Sequence, residues 1–315
     1  MTELVSILIP VFNRAHLIEA TISSALNQTY TNIEVVLVDN ASTDNTWGII
    51  QALARKDKRI KCFQNEVNIG PVKNWKRCID EAQGIYGKIL WSDDLIDAQF
   101  LEKTMPLIKN EEVGFVYTKT EIFIDGTDLK TNHYHLPQSG LYDSEEYIQG
   151  AIFGRDFPFS PGCALFRLMD LKSNLLVNIP NSVNSDFAMH AIGNDLLIFI
   201  LTANQYSKFA YVDTLLSSFR AHDGSISTSS EDGKLPLHYA LAKAYFIENK
   251  RKDLIEKFNV LIRLSLIKYR KSSKYGLAKV SDFYCSNENY KIDFSFLLLT
   301  IKSIVINFIK QLKIK

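Results

Sequence analysis

Apolar runs alternate with amphipathic segments through the first third of the chain. The runs Val5–Phe12 and Ile33–Val38 are rich in β-branched residues and predict buried strands of a parallel sheet. Strands are predicted at 5–12, 33–38, 60–63 and 86–91, and helices between them at 15–28, 45–56 and 72–82. This alternation predicts βαβ units and an α/β fold with a doubly wound, mostly parallel sheet.

The pattern is less regular after residue 95. Helices are predicted at 97–109, 143–153 and 195–202, strands at 113–117, 121–124, 209–212 and 215–219, and two further helices between 234 and 274. Residues 127–139 show no periodicity and are predicted to form a long loop, which in a compact domain is usually functional or mobile. Its histidines, His133 and His135, could bind a metal, but such a pair in a polar loop is more often solvated.

Polar side chains follow three of the predicted strands. Asn13 and Arg14 come after the first strand, Asp39 ends the second, and Asp93 and Asp94 follow the fourth. Because ligands bind where the carboxyl ends of parallel strands share one edge of a sheet, these residues are expected to converge there. Adjacent carboxylates suit a hard divalent cation that also binds substrate phosphates. The alternative is a solvated turn in which an aspartate caps the next helix.

Charge is distributed unevenly along the chain, whose formal net charge is only +1. From Lys243 to the end there are 16 lysines and arginines but 6 aspartates and glutamates, which indicates a basic extension facing an anionic surface. Residues 293–314 are apolar but carry a polar residue every three or four positions, so they are a poor bilayer span. They are predicted to form an amphipathic helix lying in a membrane interface, with packing onto the domain as the alternative.

Cysteine usage and the N-terminal sequence bear on the cellular compartment. The four cysteines, at 62, 78, 163 and 285, form no pair with metal-ligand spacing, and isolated cysteines fit a reducing environment. The pattern of a signal peptide does not precede the first strand, so a cytoplasmic protein is expected. The basic residues form no recognisable nucleic-acid-binding module, and nucleic acid is not an expected partner.

Four segments together resemble a known enzyme family. They are VSILIPVFNR at 5–14, EVVLVDNASTDNT at 34–46, NIGPVKNWKRCIDEAQGIYGKILWSDD at 68–94 and FRAHDGSIS at 219–227. Their order is similar to that of family 2 glycosyltransferases with the GT-A fold, which are inverting sugar transferases of bacterial surface-polysaccharide assembly. The resemblance is firm over 4–94, looser to about 230, and absent beyond.

The resemblance implies a domain division and a nucleotide site. Residues 1–230 would form the GT-A domain, with a nucleotide-binding half at 1–95 and an acceptor half at 96–230, and 231–315 would form a basic helical extension. Asp39 would contact the base, usually uracil, by accepting its imide N–H. The residues implied in donor binding are Val11, Asn13, Arg14, Asp39, Asn68, Asp94 and His222. His222 matches a histidine near the diphosphate, the alternative being a loop histidine held by Asp223.

The resemblance also implies a metal site. Asp93 and Asp94 match the end of an Asp-x-Asp motif in which Trp91 replaces the first acid. Asp93 is expected to hold Mg²⁺ or Mn²⁺ and the diphosphate, and Asp94 to be a second ligand or a ribose contact. The missing carboxylate leaves open how the ribose is held and how tightly the metal binds.

The general base implied by the resemblance is a carboxylate on the acceptor side. Asp195 is the best match and Asp186 the runner-up, although either residue could instead cap a helix. The implied reaction is an in-line single displacement, in which the base takes a proton from the acceptor hydroxyl that attacks the anomeric carbon. The metal would neutralise charge on the departing nucleoside diphosphate.

The predicted function is transfer of a sugar from a nucleotide-diphosphate donor, with a UDP-sugar favoured, to a lipid-linked or oligosaccharide acceptor. The basic tail favours a lipid-linked acceptor and a peripheral location on the inner face of the cell membrane. One alternative is a nucleotide-sugar-binding protein without turnover, because Trp91 replaces an acid. Another is a nucleotidyltransferase, which usually carries a glycine-rich loop after the first strand, whereas Asn13–His16 contains no glycine.

Overall fold

The computed structural model describes residues 2–222, 233–286 and 291–302. These residues divide into two compact units. The first contains the described residues up to Ile179 and from Asp186 to His222, and the second contains Pro180–Ser185 and the described residues from Gly233 onward. The predicted domain boundary, between residues 230 and 231, lies outside the described residues.

One sheet runs through the first unit, with ten strands among the described residues. They are β1 (Val5–Val11), β2 (Ile33–Asp39), β3 (Ile60–Gln64), β4 (Tyr86–Ile89), β5 (Leu95–Ile96), β6 (Val113–Ile124), β7 (Lys130–His133), β8 (Gly140–Asp143), β9 (Ala164–Arg167) and β10 (Lys208–Ala221). The order is β3-β2-β1-β4-β9-β6-β10-β5, with β7 paired to β6 and β8 to β10. Neighbours among β1 to β4 are parallel, as are β6 and β10, whereas β9 is antiparallel to both its neighbours. The predicted α/β fold with a mostly parallel sheet is confirmed.

Most helices of this unit lie where the sequence predicts them and are shorter than predicted, whereas the helix at 168–174 was not predicted. They are α1 (Ile18–Leu26), α2 (Thr46–Ala54), α3 (Pro71–Glu81), α4 (Phe100–Ile108), α5 (Ser144–Phe153), α6 (Leu168–Asn174), α7 (Phe187–His190) and α8 (Asn194–Ala203). The first begins three residues later than predicted. Before it, Arg14 N and Ala15 N donate to Thr46 Oγ1 and Asp44 Oδ2, at 2.8 and 3.1 Å, and these contacts join the segment before α1 to the start of α2.

Two long strands replace what the sequence predicts as two pairs of short strands. The apolar runs of β6 and β10 are each interrupted by polar residues, which led to the wrong prediction of a break. In β6 the interrupting Thr118 and Thr120 are fully buried, and Thr118 Oγ1 lies 3.2 Å from Ser217 Oγ of β10. The predicted loop at 127–139 is also partly wrong, because Lys130–His133 pairs with β6 as the exposed strand β7. A strand exposed in this way has no apolar face, so its sequence carries no alternation.

The entry to β4 is fixed by a buried polar network beneath the sheet. Ser6 Oγ donates to Glu34 Oε1 at 2.5 Å, and Glu34 Oε1 also accepts from Gln83 N at 2.7 Å. Gly84 N donates to Ser6 Oγ at 2.8 Å. A Cβ on Gly84 would lie 2.6 Å from Ser6 Oγ and 2.8 Å from Leu4 O. Residue 84, where the chain enters β4, must therefore be a glycine.

Gly84→Ala is expected to lower the free energy of unfolding by about 1–3 kcal/mol, because the added methyl group overpacks backbone that cannot move aside. Chemical denaturation of the two proteins measures the difference. Gly48→Ala is the matched control, since the three atoms nearest to its Cβ would all belong to the side chain of Asn45 and not to backbone. Equal losses in the two variants would contradict this account of Gly84.

The second unit is helical in its described part. Helices α9 (Lys234–Lys250) and α10 (Ile255–Lys268) confirm the two helices predicted between 234 and 274. Residues 294–302 are also helical, and Asp293 N donates to Glu256 O of α10 at 3.1 Å. The rest of the predicted C-terminal helix, residues 303–314, lies outside the described residues. Across the three described ranges, every helix is too short or too polar to cross a membrane.

Candidate active site

The ends of β1, β2 and β4 meet at one edge of the sheet, as the alternation of elements predicts. Val11 at the end of β1 pairs in register with Asp39 at the end of β2. Val11 is buried, and its carbonyl accepts from Asn40 N at 2.8 Å. Beyond β1, Arg14 Nη2 lies 3.3 Å from Asp93 Oδ2, beyond β4. Residues 79 positions apart in the sequence thus form one polar cluster.

Asp93 is the centre of that cluster. Its Oδ2 accepts from Arg14 Nε at 3.3 Å and lies 2.9 Å from Nε2 of His222, the residue that follows β10. The Asp93 side chain remains 16% exposed, and those of Arg14 and His222 are 25% and 24% exposed. Three predicted site residues are therefore in contact with one another and open to solvent. A carboxylate, a guanidinium and an imidazole together can bind a metal-bridged diphosphate.

Asp94 differs from Asp93 in its accessibility. It is only 5% exposed, and its Oδ1 accepts from Arg220 N at 2.9 Å. Thr21 Oγ1 donates to the carbonyls of Ser92 and Asp94 at 3.2 and 3.0 Å, which fixes the turn. Burial raises the pKa of Asp94 well above its ordinary value, and the charge of Asp93 raises it further. Of the two carboxylates, Asp93 is the one that a ligand reaches in this conformation.

Arg220 is a site residue that sequence reasoning did not single out. Its Nε donates to the carbonyl of Asp93 at 2.9 Å, and its Nη1 donates to Asp125 Oδ1. The guanidinium carbon lies 4.9 Å from the centre of the Phe123 ring. The available signal was its position two residues before His222, inside the segment that carries the family resemblance. Arg220 brings a second cation to the end of β4.

The donor set suits Mg²⁺ or Mn²⁺ only if the substrate supplies further oxygen ligands. Among the described residues, groups of three or more His, Cys, Asp or Glu side chains placed to hold a metal ion are absent. Asp93 and His222 offer one carboxylate and one imidazole side by side. Mg²⁺ is commonly held by one or two carboxylates together with substrate phosphates and water, and this pair fits that pattern.

Asp39 lies beneath the loop that follows β2. It is fully buried, and its Oδ2 accepts from Ser42 N at 3.1 Å and Gln64 Nε2 at 3.0 Å. Ser42 Oγ donates to the other carboxylate oxygen. Every one of these donors comes from a loop or strand end, so Asp39 reaches a nucleotide base only when Ser42 or Gln64 moves aside.

The same edge contains strained backbone. Asn13 and Ala41 adopt positive φ angles of 51° and 58°. Asn13 is held there because its Oδ1 accepts from Thr43 N at 2.8 Å and its N donates to Ser42 Oγ at 2.9 Å. Positive φ in residues other than glycine costs energy and is concentrated at functional sites. Asn13, predicted to line the nucleoside pocket, thus locks the loops after β1 and β2 together.

A network of asparagine amides supports this edge from below. Asn40 Nδ2 donates to Asn68 Oδ1 at 2.9 Å, and Asn65 Nδ2 donates to Asn40 Oδ1 at 2.8 Å and to Asn74 Oδ1 at 2.9 Å. Asn74 Nδ2 donates in turn to the carbonyl of Val38 at 3.0 Å. Of these residues, only Asn68 was predicted at the site. The structure places Asn68 as an exposed residue that shapes the loop between β3 and α3.

The two candidate bases lie at helix N-termini in the acceptor half. Asp195 is in the first turn of α8, where its Oδ1 accepts from Gly193 N at 3.1 Å and Leu196 N at 2.8 Å. Asp186 is the N-cap of α7, and its Oδ1 accepts from Met189 N at 3.2 Å. Both carboxylates therefore make contacts of the capping kind.

Tyr134 connects the electrostatics of Asp195 with those of the donor carboxylates. Burial raises the pKa of Tyr134 above its ordinary value, and the nearby Cys163 and the charges of Asp156, Asp195 and Asp94 raise it further. Its backbone has φ of 64°, and its N donates to Asp156 Oδ2 at 3.0 Å. Tyr134 was not predicted from the sequence, because it lies in the predicted loop.

Comparisons with known proteins match the chain to one family. The family model described as Glycosyl transferase family 2 matches residues 6–175. An Escherichia coli protein named UDP-Glc:alpha-D-GlcNAc-diphosphoundecaprenol beta-1,3-glucosyltransferase WfaP is 39% identical over 259 residues, covering 82% of this chain and 86% of that protein. A Haemophilus influenzae protein named as an uncharacterized glycosyltransferase is 42% identical over 186 residues, covering 59% of this chain and 69% of that protein.

A solved structure has the same fold. The S. aureus protein TarS in complex with UDP-GlcNAc superimposes with a TM-score of 0.64 and 18% sequence identity, covering 88% of this chain and 76% of that chain. At this level of identity the likeness concerns the fold. It agrees with the parallel order of β1 to β4 and with the helical region that follows the sheet.

Proposed function

The chain belongs to the family 2 glycosyltransferases, and from this premise we propose that it moves a sugar, with inversion, from a UDP-sugar to a hydroxyl of a lipid-linked saccharide. The contact of Asp93 with both Arg14 and His222 carries the proposal, because it assembles a diphosphate site at the edge of the sheet. The relative named for a UDP-Glc donor and a diphosphoundecaprenol-linked acceptor supports both substrate classes.

The nucleoside would bind at the ends of β1 and β2. Asp39 accepts the imide N–H of uracil once Gln64 yields its hydrogen bond, and Asn13 keeps the two loops in place. The site would be selective, because a base without a matching N–H cannot replace the hydrogen bond that Gln64 gives up. This arrangement favours uracil over cytosine, which has no imide N–H.

The diphosphate would lie against the cluster formed by Arg14, Asp93, His222 and Arg220. Arg14 and Arg220 contribute positive charge, and hydrogen bonds between guanidinium groups and phosphate oxygens are strong and directional. Asp93 and His222 are the residues that would hold Mg²⁺ or Mn²⁺, which when bound offsets the negative charge that develops on the leaving group. Asp94 stays behind them and keeps the turn in place through Arg220 N.

The transfer would proceed by a single displacement at the anomeric carbon. Asp195 takes the proton of the acceptor hydroxyl as that oxygen forms its bond to the anomeric carbon. The bond between the anomeric carbon and the phosphate oxygen breaks, and the leaving nucleoside diphosphate keeps the electron pair. Because entry and departure occur on opposite faces of the carbon, the anomeric configuration inverts.

Release of UDP or GDP from a panel of UDP- and GDP-sugars, with Mn²⁺ and with EDTA, tests the proposed function. Many transferases slowly hydrolyse their donor in the absence of acceptor, so the purified protein is expected to release UDP from one sugar in a metal-dependent manner. Calorimetry with UDP and Mn²⁺ separates binding from turnover. Absence of both metal-dependent UDP binding and UDP release would rule the proposal out, and binding without release or transfer would favour a nucleotide-sugar-binding protein.

Asp39→Asn is expected to weaken UDP binding by about tenfold to a hundredfold, because an amide cannot replace the charged acceptor of the imide N–H. Calorimetry with UDP measures the change. Glu66→Gln is the control, since Glu66 is exposed on the loop between β3 and α3. An Asp39 variant that binds UDP as the unaltered protein does would show that another group recognises the base.

We further propose that the chain acts at the cytoplasmic membrane surface through its C-terminal segment. Phe294, Leu298, Leu299 and Ile301 are largely exposed in the helical residues 294–302. The region from Lys243 onward carries the excess of positive charge. Exposed apolar residues beside basic ones bind anionic lipid interfaces by combined burial and attraction. A polyprenyl-linked acceptor at that surface would then be within reach.

Leu298→Glu combined with Phe294→Glu is expected to reduce binding to vesicles containing phosphatidylglycerol by about tenfold or more, because it places two charges in the apolar face. Sedimentation with vesicles measures the bound fraction. Met169→Glu is the control, since Met169 is an exposed apolar residue of the first unit. Unchanged binding of the double variant would refute a role for this helix.

A further inference from the structure

Trp91 lies two residues beyond the end of β4 and two residues before Asp93, and its indole is held on several sides. Its Nε1 donates to Ser160 Oγ at 2.8 Å, and its ring centre lies 4.7 Å from that of Trp75 in α3. Trp75 is almost buried, whereas Trp91 remains partly exposed. The N–H of Trp91 is therefore already paired, and what it still offers to a ligand is apolar ring surface.

The turn at residues 160–163 is shaped to receive the Trp91 ring. A Cβ on Gly162 would lie 3.1 Å from Cδ1 and Nε1 of Trp91 and 3.0 Å from Phe219 Cε1, closer than side chains normally approach. Ser160 Oγ also accepts from Gly162 N at 3.3 Å, so one hydroxyl fixes both the turn and the indole. The absence of a side chain at Gly162 is what allows the ring to sit against this backbone.

Lys88 anchors the same turn from inside the sheet. It is fully buried, and its Nζ donates to the carbonyls of Gly162 and Ile89, the latter at 3.0 Å. The ammonium nitrogen lies 4.6 Å from the centre of the Phe100 ring. Burial lowers the pKa of Lys88 to about 7. A buried amine is costly unless its hydrogen bonds are made, and here they fix the backbone on which Trp91 rests.

We propose that Trp91 forms a wall of the donor-sugar subsite and selects the sugar through its apolar face. This inference rests on the proposed function. The sugar is bonded to the diphosphate, so it would lie within a few ångströms of the proposed diphosphate site at Asp93 and His222. Trp91 lies two residues before Asp93, and its N–H is already bonded to Ser160 Oγ. Its ring would therefore pack against C–H groups of the sugar. Pyranose rings with equatorial hydroxyls present a continuous patch of such groups, which packs on an aromatic face.

This role accounts for the departure of residue 91 from the acid that the family resemblance implies. A carboxylate at residue 91 would accept hydrogen bonds from sugar hydroxyl groups, whereas an indole ring packs against the C–H groups of the sugar. Trp91 therefore favours a sugar of gluco configuration over one with an axial hydroxyl on the stacked face. If Trp91 only filled the core, its removal would disturb the neighbouring Asp93 and the nucleotide as much as the sugar.

The test measures the Kd for UDP and the KM for UDP-glucose and UDP-galactose. It compares the unaltered protein with Trp91→Phe, Trp91→Ala and Ser160→Ala. For Trp91→Ala we expect the KM for UDP-glucose to rise by about fivefold to tenfold while the Kd for UDP changes less than about twofold. Trp91→Phe keeps an aromatic face, so its KM for UDP-glucose is expected to lie between those of the unaltered protein and of Trp91→Ala. Ser160→Ala frees the indole and is expected to narrow the preference for UDP-glucose over UDP-galactose.

Two results would overturn the inference. One is a loss of UDP affinity in Trp91→Ala and Trp91→Phe as large as the rise in KM for UDP-glucose, which would mean that Trp91 only supports the nucleotide site. The other is an unchanged KM for UDP-glucose and an unchanged sugar preference in both variants. If the unaltered protein binds UDP but these variants behave as it does, only the inference about Trp91 fails. If the unaltered protein binds no UDP at all, the proposed function fails with it.

Discussion

Asp195→Asn is expected to lower kcat by about 10²- to 10⁴-fold, the usual contribution of a positioned general base. The substitution is nearly isosteric, and an amide oxygen can still accept from Gly193 N and Leu196 N. The start of α8 should therefore stay intact. Donor affinity should change little, because the proposed role of Asp195 is toward the acceptor and not the nucleotide. Transfer to a synthetic polyprenyl-diphosphate acceptor and calorimetry with UDP measure the two quantities separately.

Asp186→Asn is the matched control for this prediction. Asparagine is as good an N-cap as aspartate, so α7 should form and its contact with Met189 N should persist. Activity close to that of the unaltered protein is expected. The reverse pattern, in which Asp186→Asn is inactive and Asp195→Asn is active, would assign the base to Asp186.

Asp93→Asn is expected to lower kcat/KM by about 10²- to 10³-fold, because metal-assisted charge stabilisation is worth several kcal/mol. The residual activity should no longer respond to Mn²⁺. The amide keeps the shape of the side chain but gives up the negative charge that Arg14 and His222 face. A Mn²⁺ titration of UDP release and of UDP binding measures both effects.

Asp94→Asn is the control that separates the two adjacent carboxylates. Asp94 is almost buried, and an asparagine oxygen can still accept from Arg220 N. The response to Mn²⁺ is therefore expected to survive, with a smaller loss of activity than at Asp93. A larger loss of Mn²⁺ dependence at Asp94 than at Asp93 would exchange the roles of the two residues.

The strands and helices of the first 95 residues were predictable because their signals are local. Strands β1 and β2 are buried at every residue, and their sequences are apolar except for Ser6 and Glu34, which bond to each other, and for Asp39 at the end of β2. The register of β1 with β2 then places Val11 beside Asp39 without further information. The convergence of Arg14 with Asp93 follows from parallel topology alone. These features need only the order of elements and the hand of their connections.

The features that escaped prediction depend on partners distant in the sequence. His222 and Asp93 are 129 residues apart, and Arg220 N reaches Asp94 over 126 residues. The burial of Asp94 could not be foreseen, because the sequence does not show that Arg220 of β10 lies against its carboxylate. From the sequence alone, Thr118 and Thr120 resemble loop residues, because the contact of Thr118 with the buried Ser217 is visible only in the structure. Lys88 resembles any surface lysine until its two carbonyl partners are located.

The pairing of Arg14 with Asp93 has a consequence for binding equilibria. Arg14 Nε and Nη2 both lie 3.3 Å from the same carboxylate oxygen, so a metal ion alone would meet a ligand that is already paired with a cation. A diphosphate bound as proposed would compete for Arg14 and release that oxygen. Nucleotide and metal would then assist each other's binding, and by linkage the assistance would be equal in both directions. We therefore expect each of the two to bind more weakly alone than in the presence of the other.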